Sequence, residues 1–113
     1  MSDLKPVKFC GDSLETLRRF PELARRRAGF QLDLIQRGLD PDDWKPMNTV
    51  GAGVREIRIR DERGIFRVMY VTKFADTLFI LHCFQKKTQK TSSTDIETAS
   101  RRYKELQKEQ THE

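Results

Sequence analysis

Apolar positions in this chain follow two periods. From Leu14 to Ile35 they recur every three or four residues, the repeat of a helix face, whereas from Val54 to Phe84 they alternate or run on as in strands. The helical repeat returns in Ile96, Ala99, Tyr103 and Leu106. Ahead of the first repeat, "VKFCG" at 7–11 reads as a short strand halted by Gly11. "DSLE" then sets Asp12 and Glu15 at capping-box spacing, so a helix begins there with Leu14 and Leu17 on its apolar side. Pro21 interrupts it and seats in the first turn of a second helix. In that helix Leu23, Ala24, Phe30, Leu34 and Ile35 lie close to one stripe, and Gly38 is the stop.

The stretch 39–53, "LDPDDWKPMNTVGAG", has loop composition; its length predicts that it packs through Trp44 and Met47 or shapes the rim of a site. Residues 54–60, 64–74 and 77–87 read as three strands linked by turns at "DERG" and "ADT", short enough for an antiparallel meander. Thr94 and Glu97 offer a capping box for the last helix, which frays from about 108 to 113. The expectation is a single α+β domain over 1–113. Its order is a short N-terminal strand, two helices, a three-stranded antiparallel meander and a C-terminal helix, with the helices against one sheet face.

Strand parity then sorts the side chains. Ile57 and Ile59 fix the helix-facing side of the first meander strand and send Glu56, Arg58 and Arg60 to the open face. In the second, Phe66, Val68, Tyr70, Thr72 and Phe74 go to the core, which leaves Arg67 and Lys73 outside over a floor of Met69 and Val71. In the third, Phe79, Leu81 and Cys83 inside send His82, Phe84 and Lys86 out, although the opposite parity is nearly as apolar. Arg58, Arg67, His82, Phe84 and Lys86 then converge on one concave surface.

Charge supports that picture. Lys and Arg number 22 against 17 Asp and Glu, a net +5 and a pI near 9.5, which favours an acidic partner such as nucleic acid or an acidic protein, or else only good solubility. No apolar run approaches the roughly 20 residues that cross a bilayer, and "MSDLKPVKFC" lacks a signal peptide's apolar stretch, so a cytoplasmic protein without a membrane role is expected. Cys10 and Cys83 read as reduced packing residues. With two cysteines, two histidines and no Cys-x-x-Cys, neither a metal site nor any other cofactor is indicated.

Cations around an aromatic suit a polyanion whose bases stack, here on Phe84, with Lys73, Lys90 and Lys45 as further candidates at the edges. Without a carboxylate cluster, RNA cleavage is still open to such a surface, because RNA brings its 2′-OH as nucleophile. Arginine suits the charge that builds on the phosphorus, and His82 or a lysine of lowered pKa suits proton transfer.

The element order, "VREIRI", "GIFRVMYV" and above all "LHCFQKKTQKTSSTDIETASRRY" resemble the RelE/HigB group of toxins from toxin–antitoxin modules, in its phage-derived, HigB-like branch, over about residues 7–106. The resemblance implies a RelE/ParE-like fold. It also implies a ribosome-dependent endoribonuclease that cuts mRNA among ribosomal RNA and is neutralised by a cognate antitoxin, usually a helix-turn-helix protein. Arg67 matches the family's basic strand residue at the scissile phosphate, and Lys86 or Lys87 falls where relatives keep a basic residue at the strand end. Tyr103 sits on the apolar stripe, so the C-terminal tyrosine that some relatives use is not carried over. Two other readings stand beside this one: a non-catalytic module that inhibits a protein such as gyrase, as ParE toxins do, or a phage remnant that only binds an antitoxin.

Each candidate has a plainer alternative. Arg67 can be a cross-strand partner of Glu56, Lys86 and Lys87 a solvated strand end, and His82 a satisfied sheet residue. Arg18, Arg19, Arg25, Arg26 and Arg27 form a solvated helix face or a dock for ribosomal RNA or an acidic antitoxin segment.

Overall fold

The β-branched and aromatic run from Val54 to Phe84 forms the centre of a five-stranded sheet in the computed structural model, which describes residues 4–86 and 90–111. The elements are β1 (Val7–Phe9), α1 (Ser13–Arg18), α2 (Glu22–Gln36), β2 (Trp44–Pro46), β3 (Arg55–Asp61), β4 (Gly64–Val71), β5 (Leu78–Lys86) and α3 (Ser93–Thr111). The strand order is β1-β5-β4-β3-β2, with β1 parallel to β5 and the other pairs antiparallel. The α+β class and the central meander are as the polarity pattern predicts.

The layering differs from expectation, because the helices cover both faces. Leu17, Phe20, Ala24, Ala28, Leu32 and Ile35 pack with Ile57, Ile59, Phe66, Val68 and Tyr70 on one side. On the other, Ala99, Tyr103 and Leu106 of α3 pack with Met69, Val71, Phe79, Leu81 and Phe84. β4 is therefore apolar on both parities, which a one-faced sheet does not require. The assumed open face is largely the seat of α3.

Two helix details also change. In α2 the buried stripe is Ala24, Ala28, Gln31, Leu32 and Ile35, so Leu23 and Phe30, assigned to the stripe from sequence, point outward. Asp12 makes no side-chain cap to α1; its carboxylate instead accepts from Arg102 Nη2 at 2.7 Å and ties α1 to α3. The cap of α3 is Ser92 rather than Thr94. Ser92 Oγ accepts from the Asp95 N–H at 3.1 Å and donates to Asp95 Oδ2 at 2.6 Å.

The loop predicted at 39–53 holds the edge strand β2, whose Trp44, Lys45 and Pro46 stand opposite Ile57, Glu56 and Arg55. Trp44 is an anchor, with the Arg55 guanidinium 3.8 Å above its ring centre. Met47 and Val50 join the α3 core, and Tyr103 Oη donates to the Ala52 carbonyl at 2.9 Å. Ala75 and Asp76, with φ of 51° and 49°, make the left-handed turn between β4 and β5. Among the described residues, no helix is long and apolar enough to cross a membrane.

Candidate functional site

Cross-strand pairing arranges the candidates in rungs. Lys45, Glu56, Met69 and His82 lie opposite one another across β2 to β5; the next rung is Arg58, Arg67 and Phe84, and the next Arg60, Ile65 and Lys86. Directly opposite residues share a face. The predicted convergence of Arg58, Arg67, His82, Phe84 and Lys86 is thus present at the level of the backbone.

A bulge ahead of these residues changes the parity within β5. Met69 pairs with His82 but Tyr70 pairs with Ile80, so Leu81 is an extra residue in β5. Before the bulge Phe79 and Leu81 face α3 and Ile80 faces α1 and α2; after it Cys83 faces α1 and α2 and Phe84 faces α3. Placing Phe79, Leu81 and Cys83 together on one side was therefore wrong, because an uninterrupted period of two cannot anticipate the extra residue.

The side chains divide by depth. Arg67 is 3% exposed and donates from Nη1 to Glu56 Oε1 at 2.8 Å, while Glu56 is fully buried. The other oxygen, Glu56 Oε2, accepts from Thr91 Oγ1 at 3.0 Å, and Lys45 Nζ lies 3.8 Å from Oε1. Burial works to lower the pKa of Arg67, and the Glu56 charge opposes it. The cross-strand pair offered as the plainer alternative for Arg67 is realised, and Arg67 forms the floor of the site rather than its surface.

Lys45, Arg58 and Lys86 make the more accessible rim. Arg58 Nε donates to Asp43 Oδ1 at 2.9 Å, which fixes its direction. The Lys86 ammonium has its pKa lowered by desolvation and by the positive charges of Arg67 and Lys45.

The remaining candidates lie elsewhere. His82 Nε2 sits 2.7 Å from Asp95 Oδ1, and its ring stacks on Phe84 with centroids 5.1 Å apart. His82 thus fastens β5 to the first turn of α3. Phe84 is buried in the α3 core and has no open stacking plane, a correction to its predicted role. Lys73 lies beyond the opposite end of β4, its ammonium over the rings of Phe74 and Tyr103, so it does not join the site. Lys90 is exposed just ahead of α3, and Lys87 lies outside the described residues.

Reading the sequence missed Asp43, Thr91 and Asp95, which orient Arg58, Glu56 and His82. Their only sequence signal is position: one in the loop before β2, two beside the cap of α3. Among the described residues, no group of three or more His, Cys, Asp or Glu could hold a metal ion. The arrangement can hold an anion at Lys45, Arg58 and Lys86 above a buried positive and negative pair.

No curated protein matches the chain. A family model, described as Phage derived protein Gp49-like (DUF891), matches residues 15–104, from α1 into α3 and through every rung of the site. The chain belongs to this phage-derived, Gp49-like family.

Proposed function

We propose that this Gp49-like chain is the toxin of a type II toxin–antitoxin module and cleaves mRNA on the ribosome without a metal ion. The observation that carries the reading is the rim of Lys45, Arg58 and Lys86 around the buried Arg67, on neighbouring rungs of one sheet face. Membership of a phage-derived family fits a toxin or a phage remnant.

In this reading the RNA supplies the 2′-OH nucleophile, which attacks the adjacent phosphorus and expels the 5′-oxygen, leaving a 2′,3′-cyclic phosphate. Lys45 and Arg58 stabilise the charge that develops on the phosphoryl oxygens, and Arg67 adds its field from below. Lys86, with its lowered pKa, gives up a proton more readily than an ordinary lysine and so suits protonation of the departing 5′-oxygen, while the proton of the 2′-OH leaves to solvent. Ribosomal RNA completes the binding surface in the cytoplasm, and a helix-turn-helix antitoxin is the partner that silences the protein.

One observation favours a different reading: Arg67 is neutralised by Glu56 and sealed from solvent, as in a purely structural pair. The chain would then be a non-catalytic binding module, acting on a protein such as gyrase or only on an antitoxin. Inducible expression with primer extension on a reporter mRNA separates the two. Cuts within translated codons, abolished by Lys45→Ala with Lys86→Ala while the variant keeps its wild-type melting temperature, support cleavage. Growth arrest with intact mRNA and damaged DNA supports the gyrase-type module, and neither effect supports a remnant. Cleavage that survives the rim variants would refute the site.

A further inference from the structure

Helix α2 turns two large apolar side chains to solvent, Leu23 at 45% and Phe30 at 58% exposure. They stand two helical turns apart with Arg26 and Arg27 between them, so the four form one outward stripe. Burial of Ala24, Ala28 and Leu32 against the sheet fixes this direction, and the stripe is not a frayed end. Arg26, Arg27 and Phe30 also line a groove of about 480 Å³ whose opposite wall includes Arg60 of β3, with Asp42 and Asp43 at its side.

The groove's acids already have partners. Asp42 Oδ2 accepts from Gln31 Nε2 at 2.8 Å, and Asp43 Oδ1 accepts from Arg58 Nε at 2.9 Å. Arg27 donates to the Arg60 carbonyl, which holds its guanidinium along the groove while its charge stays uncompensated by that bond. Arg26 reaches Glu22 at 3.5 Å in an exposed pair of the kind that contributes little.

We propose that this groove docks an acidic amphipathic helix of a partner protein. Apolar side chains spaced by two turns would cover Leu23 and Phe30, and carboxylates would meet Arg26, Arg27 and Arg60. One observation favours such a segment over RNA: Leu23 is aliphatic and, beside Phe30, gives an apolar side chain something to cover but a base no second plane to stack on. The inference does not depend on RNA cleavage, since Leu23, Arg26, Arg27 and Phe30 take no part in the proposed chemistry.

The test titrates the full-length, isotope-labelled chain with a synthetic helical peptide carrying leucines at two-turn spacing with glutamates beside them. The comparison probes are the same peptide with serine for leucine, polyglutamate, and a single-stranded RNA oligonucleotide. The expected result is saturable binding by the first probe, with amide shifts confined to α2 and to the Ile59 and Arg60 end of β3. Phe30→Ala and Arg27→Glu, both at exposed positions, should each weaken it at least about tenfold, the loss of one anchoring contact. Unchanged melting temperatures would show the variants folded. Absence of saturable binding, equal binding of polyglutamate, insensitivity to both variants, or RNA rather than peptide mapping to the groove would each overturn the proposal.

Discussion

Arg67 and Glu56 meet diagonally across β3 and β4 at 2.8 Å, with 3% and 0% of their side chains exposed. Two opposite charges are thus held below a surface whose other ionised groups are mainly cations. Glu56 is shared further, accepting from Thr91 Oγ1 just ahead of α3 and lying near Lys45 of β2. One carboxylate therefore links the edge strand, the centre of the sheet and the approach to the last helix. Among the described residues, nothing bonds to Arg67 Nε, so the guanidinium keeps one buried donor in reserve.

Removing one member of the pair should cost far more than removing both. Glu56→Leu alone leaves Arg67 a buried charge without its partner and should lower stability by about 3–5 kcal/mol. Arg67→Met should cost somewhat less, because Glu56 keeps Lys45 at 3.8 Å and the Thr91 hydroxyl. The double variant should recover most of that loss, since packed apolar side chains of similar volume often replace a buried pair without penalty. Urea unfolding of the four proteins measures the coupling; additive losses would mean that the pair is not an energetic unit. The same cycle guards the RNA reading, because Arg67→Ala tests chemistry only in a chain that still folds.

The meander, the helices and the basic residues on one strand parity were legible because each rests on local spacing. Glu56, Arg58 and Arg67 fall in their rungs for that reason, whereas Lys45 joins them only because the predicted loop holds the edge strand β2. What escaped depends on distant chain. Leu23 and Ala24 are adjacent in sequence, and only the position of the sheet decides that Ala24 is buried and Leu23 exposed. Phe84 looked open until α3 proved to lie across the second face, and the bulge at Leu81 left no mark in an almost wholly apolar strand. His82 looked like a catalytic group because its acceptor, Asp95, belongs to an element whose packing side was misjudged.

The lowered pKa of Lys86 should answer to its neighbours. Desolvation is the main cause, but Arg67 and Lys45 add repulsion, so Lys45→Met should move the Lys86 pKa back toward the ordinary lysine value. A side-chain NMR titration of the labelled chain would detect the rise; no movement would remove Lys45 from the site's electrostatics. The sign for stability follows from proton counts. Between the lowered folded pKa and the ordinary value, the unfolded chain binds more protons at this lysine, so its contribution makes stability rise with pH in that alkaline window. Solvent around this accessible ammonium keeps the effect small.

The cap of α3 couples helix formation to the sheet. Ser92→Ala removes an acceptor for the Asp95 N–H and should cost about 1 kcal/mol. Asp95→Ala removes both that cap's partner and the carboxylate on His82 Nε2, so it should cost more and loosen the first turn of α3 against β5. Hydrogen exchange at amides 95–99 should quicken in both variants, with that of α2 unchanged. Equal exchange in Asp95→Ala and the parent would mean that His82 is not the fastening.

Cys83 should be inert while the chain is folded. Burial pushes its thiol pKa up to about 12, so almost no thiolate exists near neutrality and reagents have no access. Cys10 is only half-buried, with its pKa raised chiefly by desolvation, and should react first though slowly. Titration with a thiol-reactive disulfide should therefore show one slow equivalent in buffer and a second only in denaturant. Two equivalents in buffer would indicate that β5 opens under native conditions.

Two glycines give opposite expectations for the same substitution. At Gly51 a Cβ would stand 2.5 Å from the Tyr103 ring, which is buried and held by its bond to the Ala52 carbonyl and so has little room to yield. Gly51→Ala should cost about 1–3 kcal/mol, the usual penalty of overpacking, and should pry α3 away from the loop before β3. At Gly29, inside α2, a Cβ would meet nothing within 4 Å. Gly29→Ala should therefore stabilise the chain by about 0.4–1 kcal/mol, through a less flexible unfolded state and better helix propensity. Thermal unfolding of both variants supplies the comparison. A neutral Gly51→Ala would show that Tyr103 is not clamped between that loop and the sheet, and with it would go the argument that this tyrosine is a packing residue.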